Sequence, residues 1–415
     1  MLKNRNKALY KNVGKLSKVE TDRYRYERQK SIESLILRGL KVTQRGNSLF
    51  WDNLSEGCKL CKGGKWLCVF ITEKCTRDCF YCPQPRIKSK TDHVKCDYSI
   101  FYNSDQLVAF LKRWKIEGVG ISGGEPLCVL DRTLDFISVM RDNLGKDFYI
   151  WLYTNGDLVS KETLRKLRNS GLNEIRFDLA AREYDITPLK TAIETIDVVS
   201  VEIPAIPEDE RKVKHLLPEL KRLGVKHLNL HELTFSKHNL GDMSKRGYKV
   251  LIGSSENDFM SDVMPVYGSE LAALRIIDFA IDHDVKMPIN FCSSYYKTHV
   301  QGSLIIKNMA EIIRKPHEEV TENGCIKKIV VTESVEKINE LIGILKKKRI
   351  PSEKIYFCRK KNRLELHVDL LDYINLKKFK TYLILERYCA LCGDYHNVYG
   401  IFLTDLGLPL QNNLR

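Results

Sequence analysis

The sequence predicts an α/β protein with a parallel sheet and a small second domain. From Trp66 onward, short apolar runs alternate with amphipathic segments, as they do in successive βα units. After about Pro316 the pattern changes to several strands and one helix, which is typical of an α+β fold. A chain of 415 residues also exceeds the size at which one hydrophobic core stops growing. We therefore predict a basic helical N-terminal extension (1–65), a main domain (66–300) and a C-terminal α+β domain (316–415).

Apolar periodicity places the elements of the first two regions. Ile32, Leu35, Ile36 and Leu40 recur at helical spacing, which predicts a helix over 21–40. Six βα repeats follow, and residues 287–292 add a candidate seventh strand. The irregular stretch 237–266 is predicted to be a lid or substrate loop, because long loops inside domains are usually functional. The six predicted strands are Leu67–Ile71, Gly118–Ser122, Tyr149–Tyr153, Glu174–Asp178, Val198–Ile203 and His227–His231, with helices near 104–115, 132–143, 161–170, 188–195 and 208–223.

Composition and charge narrow the class of protein. Hydrophobic residues make up 43% and aromatic residues 9% of the chain, which excludes wholesale disorder. No apolar run reaches the roughly 20 residues that cross a bilayer, and no secretory signal begins the chain, so we expect a cytoplasmic protein. The net charge is +15, and residues 1–48 hold 13 Lys or Arg against 4 Asp or Glu. This basic arm, with Tyr10, Tyr24 and Tyr26, is a candidate contact for RNA or an acidic peptide, although a solvated helix face is commoner.

Cysteine spacing is the strongest chemical signal. Thirteen cysteines without an export signal argue for free thiols and metal ligation rather than disulfides. Cys75, Cys79 and Cys82 form a Cys-x3-Cys-x2-Cys motif directly after the first predicted strand. Three thiolates in one loop can bind three irons of a 4Fe-4S cube and leave the fourth iron open for a non-protein ligand. A structural zinc loop completed by a distant ligand is the alternative.

Small and polar residues also follow the next two predicted strands. The run Gly123, Gly124, Glu125 and Pro126 ends the second strand, and Asn155 lies in a Tyr-Thr-Asn-Gly sequence at the end of the third. Paired glycines let main-chain groups approach a ligand that a Cβ would block. Because parallel βα folds bind ligands at the carboxyl ends of their strands, we expect these three strand ends to converge on one site.

Together these motifs resemble the radical S-adenosylmethionine (radical SAM) superfamily. The resemblance rests on the three cysteines with Tyr81 before the last, on the Gly-Gly-Glu-Pro run 41 residues after Cys82, and on the Tyr-Thr-Asn-Gly strand end. In GCKLCKGGKW, LNLHEL and INFCSSYYK the chain is also similar to a largely archaeal group related to pyruvate formate-lyase activating enzymes. The resemblance covers residues 66–292 and implies a partial (βα)6 TIM-like barrel. It also implies reductive cleavage of S-adenosylmethionine to a 5′-deoxyadenosyl radical.

The resemblance implies roles for individual residues as well. Cys75, Cys79 and Cys82 would ligate the cluster. The residues implied to bind S-adenosylmethionine are Tyr81 near the adenine, Gly123, Gly124 and Glu125 at the methionine amino group, and Asn155 and Asp178. Asp178 and Glu202 are candidate ribose or substrate contacts, and a strand-end carboxylate in a salt bridge is as common. His231 and Glu232 end the sixth strand and are further candidates, although a strand histidine is more often structural.

Other cysteines indicate a second metal site. Cys58 and Cys61, and likewise Cys389 and Cys392, have the Cys-x2-Cys spacing of half-sites, and Cys292 lies on a candidate strand. An auxiliary iron-sulfur cluster and a structural zinc are the functional interpretations. Scattered reduced cysteines in the core are the alternative.

These observations favour a radical SAM enzyme that acts on a protein or peptide, as activating enzymes do. A basic arm and a C-terminal domain offer more recognition surface than a small metabolite needs. Such an enzyme needs a low-potential electron donor such as ferredoxin or flavodoxin. Radical modification of RNA or of a small metabolite, and a non-catalytic iron-sulfur or zinc module that binds RNA, are the alternatives.

Overall fold

The computed structural model describes residues 10–11, 13–43, 48–85, 93–251, 263–389 and 394–402, with side chains described as far as residue 387. The chain divides into two units, Met1–Gly302 and Ser303–Arg415. None of the helices in these ranges is long and apolar enough to cross a membrane.

A mostly parallel sheet organises the first unit. The strands of this unit are β1 (Gly14–Lys15), β2 (Lys41–Thr43), β3 (Ser48–Trp51), β4 (Trp66–Thr72), β5 (Val94–Cys96), β6 (Ser99–Phe101), β7 (Gly118–Gly123), β8 (Tyr149–Thr154), β9 (Glu174–Phe177), β10 (Val198–Ala205), β11 (His227–Glu232), β12 (Thr234–Phe235), β13 (Lys249–Val250), β14 (Met264–Pro265) and β15 (Ile289–Cys292). Its helices are α1 (Lys18–Leu37), α2 (Glu56–Lys62), α3 (Ser104–Arg113), α4 (Leu130–Leu144), α5 (Lys161–Ser170), α6 (Thr187–Ile193), α7 (Glu210–Leu223), α8 (Leu240–Lys245) and α9 (Ser269–Asp282).

Seven of these strands run parallel in the order β4, β7, β8, β9, β10, β11 and β15. Antiparallel strands β3 and β2 extend the sheet beyond β15, and β5 and β6 extend it beyond β4. Helices connect most of the successive parallel strands, and within the described residues the two edges do not pair with each other. This architecture confirms the predicted partial barrel, and β15 confirms the candidate seventh strand at 287–292.

The parallel strands present one apolar and one polar face. Alternate residues such as Ile175 and Val201 are apolar and fully buried. The other face, here called the inner face, carries Arg176, Glu202 and Asn229, which are also buried and contact one another. Parallel strands that are covered on both sides usually read as continuous apolar runs. Because buried polar groups cost free energy unless they are paired, the inner face points to a function beyond packing.

Helix α2 lies against this inner face. A Cβ on Gly57 would stand 2.6 Å from Nη2 of Arg176, and the same Nη2 donates to Oγ of Ser55 at 3.0 Å. A Cβ on Gly118 would stand 2.6 Å from Cδ1 of Leu60. Both glycines are therefore required by close approach rather than by a turn. The helix precedes the predicted barrel in sequence, yet it forms part of the barrel interior.

The stretch 237–266, predicted to be irregular, contains regular elements and a core of its own. Strand β12 pairs with β14, β13 pairs with β1, and α8 lies between them in sequence. Its apolar side chains form a cluster with Tyr10 and Phe235 that includes Met243, Val250 and Met264. The prediction of an irregular stretch was wrong for the described part, because apolar residues recur there often enough to build a core. Residues 252–262 lie outside the described ranges.

The second unit is an antiparallel sheet with helices. Its strands are β16 (Glu319–Val320), β17 (Ile326–Val331), β18 (Ile355–Cys358), β19 (Arg363–Leu366), β20 (Thr381–Cys389) and β21 (Asp394–Phe402), and its helices are α10 (Gly302–Ile313) and α11 (Val335–Lys347). The sheet order is β18, β19, β17, β20 and β21, with β16 paired to β17. Apolar residues of α11, such as Leu341, form a core with strand residues such as Leu364.

A buried lysine joins three carboxylates on this sheet. Nζ of Lys328 lies 2.9 Å from Glu318, 3.1 Å from Glu365 and 2.8 Å from Glu386, and all four side chains are at most 5% exposed. His317, Glu318 and Glu365 also bring their ligand atoms within 4.8 Å of one another, which is a spacing that suits a metal ion. The ammonium group already supplies a cation to these carboxylates, so we assign the cluster a structural role.

We predict that Lys328→Met destabilises the second unit. The change leaves three buried carboxylates without their shared cation, and breaking a buried ion pair costs about 3–5 kcal/mol. Hydrogen exchange of the β17 amides should therefore accelerate strongly. The matched control is Lys337→Met, whose side chain is 49% exposed and pairs with Glu333 in the same unit. Equal protection of β17 in the two variants would contradict the role of Lys328.

Candidate active site

The three motif cysteines lie on the loop that follows β4. Cys75, Cys79 and Cys82 are all half-buried. The N–H of Cys82 donates to the carbonyl of Cys79 at 3.0 Å, and the N–H of Arg77 points to Sγ of Cys75 at 3.5 Å. Burial raises the pKa of the Cys79 thiol to about 12. A nearby cation would therefore be needed to hold this group as a thiolate at neutral pH.

Side chains at the end of β8 fix this loop. Nδ2 of Asn155 donates to Oγ1 of Thr76 at 2.9 Å and lies 3.8 Å from Sγ of Cys75. Asp157 accepts two hydrogen bonds from Arg77, at 2.6 and 2.7 Å, and a third from Thr76 at 2.8 Å. The Arg77 hydrogen bond is the chief cause that lowers the pKa of Asp157 to about 2. Asp157, Arg77 and Thr76 are functional candidates that the sequence interpretation missed.

The paired glycines serve the close packing of this loop. A Cβ on Gly124 would stand 2.0 Å from the carbonyl oxygen of Lys74, and one on Gly123 would stand 2.3 Å from that of Thr72. Gly123 also has a φ of +118°, which side chains rarely tolerate. The space beside these glycines is thus filled by the strand that leads to the cysteines. Close packing of the chain is one reason for glycine at these positions, and approach to a ligand stays a prediction.

Glu125 is buried, and its carboxylate accepts hydrogen bonds from neighbouring protein groups. It is 1% exposed and accepts hydrogen bonds from Oγ1 of Thr154 (2.9 Å) and from the N–H groups of Asn155 (2.7 Å) and Leu127 (3.1 Å). Burial raises its pKa, against the effect of these hydrogen bonds. The side chain therefore joins the end of β7 to the end of β8.

Tyr81 and Asp178 form one wall beside the cysteines. The Tyr81 hydroxyl donates to Oδ2 of Asp178 at 3.0 Å, while Oδ1 has no hydrogen-bond partner among the described residues. Burial raises the pKa of Asp178 to about 6. The Tyr81 carbonyl accepts from Nδ2 of Asn239 at 2.9 Å, and neighbouring Phe80 stacks on Tyr248. The described part of 237–266 thus supports the cysteine loop.

Glu202 and His231 meet on the inner face, and Glu232 does not join them. Nε2 of His231 lies 2.6 Å from Glu202, which also accepts from Arg176 at 2.8 Å. Burial opposes ionisation of Glu202, yet His231 and Arg176 hold its pKa at about 2. Oε2 of Glu232 instead accepts from the N–H of Ser294 at 2.6 Å. For Glu202, the salt bridge is the arrangement that the structure shows.

The remaining candidate cysteines divide into two groups. Cys58, Cys61 and Cys292 lie close together beside the inner face, with hydrogen-bonding groups around their sulfurs. The side chain of Cys389 and all of Cys392 lie outside the described part of the chain. A ligand role for that pair stays a prediction.

Comparisons with known proteins agree with this arrangement. The Radical SAM superfamily pattern matches residues 69–199. The chain is 31% identical over 316 residues to a Methanocaldococcus jannaschii protein named "Putative glycyl-radical enzyme activating enzyme", covering 73% of this chain and 80% of the relative. It is 36% identical over 117 residues to the GTP 3′,8-cyclase of Aliarcobacter butzleri, covering 28% of this chain and 34% of that protein. Streptococcus suis SuiB bound to its precursor peptide has a TM-score of 0.40 at 13% identity, over 74% of this chain and 72% of that one.

The chain therefore belongs to the radical SAM superfamily of enzymes, and within it is related to activating enzymes. Membership implies a 4Fe-4S cluster and S-adenosylmethionine. The residues present fit such a pair, because one loop offers three soft sulfur ligands and Asp178 directs an unoccupied acceptor atom beside them. Since the chain is an enzyme, the alternative of a non-catalytic RNA-binding module is set aside.

We predict that Gly124→Ala disrupts the cysteine loop. The added methyl group would collide with the Lys74 carbonyl one residue before Cys75, so the loop must shift. We expect iron content after anaerobic reconstitution to fall severalfold. Gly241→Ala is the control, because nothing lies within 4 Å of its Cβ position. Full iron content with weakened S-adenosylmethionine binding would instead favour direct contact between this glycine and the ligand.

Proposed function

We propose that Cys75, Cys79 and Cys82 ligate the 4Fe-4S cluster and that the chain uses it to cleave S-adenosylmethionine reductively. The observation that carries this proposal is the attachment of one three-cysteine loop to the ends of two neighbouring parallel strands, through Gly124 and Asn155. A 4Fe-4S cube takes one thiolate on each of three irons and leaves the fourth iron open, which matches the three cysteines of this loop.

When bound and reduced, the cluster would supply one electron to the sulfonium of S-adenosylmethionine, which would release methionine and a 5′-deoxyadenosyl radical able to abstract hydrogen from a substrate. A low-potential donor such as ferredoxin or flavodoxin would supply that electron. The contribution of the protein is positional, because the reaction needs no protein acid or base.

Each of the candidate cofactor-binding residues has a role in this proposal that its contacts support. Asp178 would accept a hydrogen bond from a ribose hydroxyl through Oδ1, while Tyr81 holds Oδ2 and lies near the adenine. Gly123 and Gly124 would position the cysteine loop through close packing. Glu125 and Asn155 would fix the two neighbouring strand ends, with Asn155 also near Cys75.

We propose a protein or peptide as the substrate, as for activating enzymes. The support is the relationship to the Methanocaldococcus jannaschii protein, which extends over 73% of this chain. The similarity to the GTP 3′,8-cyclase covers only 28% of it, so a nucleotide substrate is less well supported. Radical modification of RNA or of a small metabolite is the competing outcome of the test below.

We predict that the Cys75→Ala, Cys79→Ala and Cys82→Ala triple variant forms no 5′-deoxyadenosine. The reason is that no other loop of the described chain offers three thiols at this spacing. The product is measured by chromatography after reconstitution and reduction with dithionite. Cys96→Ala, which changes a buried cysteine of β5, is the control and should retain the activity. Wild-type product levels in the triple variant would refute the ligand assignment.

The substrate class is tested by hydrogen transfer. We expect deuterium in 5′-deoxyadenosine when the enzyme is given a purified glycyl-radical enzyme labelled with deuterium at glycine Cα. Parallel reactions contain ribose-deuterated RNA or GTP. Mass spectrometry of the product distinguishes the three. Label arriving only from RNA or from GTP would reject the protein substrate while leaving the cleavage chemistry in place.

A further inference from the structure

We propose that Cys58, Cys61 and Cys292 hold a second metal centre, an iron-sulfur cluster or a zinc ion, beside the inner face of the barrel. The two forms share one chemistry, a thiophilic metal bound by thiolates. This centre is separate from the cluster at the end of β4, and the inference does not rest on the proposed function.

Helix α2 presents two of these cysteines from one side. Cys58 and Cys61 are three residues apart, so their side chains lie on one face of the helix. That helix face meets the inner face, because Gly57 packs against Arg176. A Cys-x2-Cys pair on a fixed helix needs little further ordering to bind one metal centre.

Strand β15 brings the third cysteine from the opposite side. Nδ2 of Asn290 lies 3.3 Å from Sγ of Cys292 and 3.7 Å from Sγ of Cys58. One amide group thus bridges sulfurs that are 234 residues apart in the sequence. Strand β3 pairs with β15, with Ser48 opposite Cys292, and α2 follows β3 in the chain, so this pairing helps to bring the cysteines together.

The surroundings of the sulfurs are polar rather than apolar. The Cys58 thiol donates to Oδ1 of Asn229 at 3.4 Å, and Nη1 of Arg176 donates to the Cys58 sulfur at 3.8 Å. Sγ of Cys61 accepts from Nε2 of Gln301 at 3.0 Å and lies 3.5 Å from the Tyr296 hydroxyl. Buried cysteines that serve only packing behave as small hydrophobic residues. Donors directed at the sulfurs are instead the arrangement that orients and tunes metal-bound thiolates.

An unpartnered polar atom provides an independent indication. Asn290 is 3% exposed, and its Oδ1 has no hydrogen-bond partner within the described ranges. A buried amide oxygen without a partner carries a desolvation cost, and a bound metal or water is a usual explanation. The same side chain contacts both Cys58 and Cys292 through its Nδ2, so the atom lies beside the proposed centre.

Charge at the site would support a thiolate at Cys58. Nη1 of the Arg176 guanidinium lies 3.8 Å from its sulfur. Three thiolates suit either form, because a cluster can take three cysteine ligands and a zinc ion takes three with one further ligand.

The test uses full-length protein in which the first trio is removed. The Cys75→Ala, Cys79→Ala and Cys82→Ala variant is reconstituted anaerobically with ferrous iron and sulfide, or with zinc sulfate, and then desalted. Iron, zinc and acid-labile sulfide per chain are measured, together with the electron paramagnetic resonance of the reduced sample. We expect stoichiometric metal to remain. Adding Cys58→Ser or Cys292→Ser should lower it at least tenfold, whereas Cys96→Ser, also a cysteine of the first unit, should not.

The measurements distinguish an iron-sulfur cluster, a zinc ion and the absence of a second metal centre. If the first-trio variant binds iron and about equal sulfide, and both serine variants lose them, the result supports the cluster. If it binds one zinc per chain, and the same serine variants lose it, the result supports the zinc form. Circular dichroism shows whether a variant has folded, and the half-buried Cys292 provides a second site if Cys58→Ser does not fold. Metal at background in the folded first-trio variant, or metal unaffected by both serine changes, would overturn the proposal. Neither result would bear on cleavage of S-adenosylmethionine by the first cluster.

Discussion

Two main-chain hydrogen bonds hold the cysteine loop in place, and the rest of the candidate site depends on them. The N–H of Gly124 donates to the carbonyl of Thr72 at 2.8 Å, and that of Glu125 donates to the carbonyl of Lys74 at 2.7 Å. They set Glu125 where its carboxylate reaches Asn155, and Asn155 in turn reaches back to the cysteine loop. These hydrogen bonds connect the ends of β4, β7 and β8 to one another. The connection gives the three strand ends a common fixed geometry before any ligand binds.

The repeat pattern and the cysteine motif could both be interpreted from the sequence. Short apolar runs of the right length located six parallel strands, because a buried parallel strand reads as a continuous run. The three cysteines, the paired glycines and Asn155 stood directly after such runs, so their convergence at one edge followed from the topology. Asp157 lies two residues beyond Asn155 and shares that position, and the same argument could have found it.

Other features depend on distances that no local pattern contains. The sequence suggests that Gly123 and Gly124 leave space for a ligand. Only the folded chain shows that the carbonyls of Thr72 and Lys74 occupy the space where a Cβ would lie. The sequence pattern did not reveal the polar inner face, because Arg176 and Glu202 each lie as single polar residues within largely apolar strands. The meeting of Cys58 with Cys292 follows from the pairing of β3 with β15 and from the position of α2 against the inner face. Sequence spacing does not encode that pairing.

The position of α2 means that the catalytic fold begins earlier than its family pattern does. The superfamily pattern begins at residue 69, and the helix that lines the interior ends at Lys62. A shortened chain that started at β4 would remove the Ser55 acceptor of Arg176 and open a buried ion-pair network to water. A chimeric protein that takes the barrel strands of this chain would therefore also need residues 55–62. Residues 55–62 are therefore an integral part of the barrel interior and not a separable N-terminal extension.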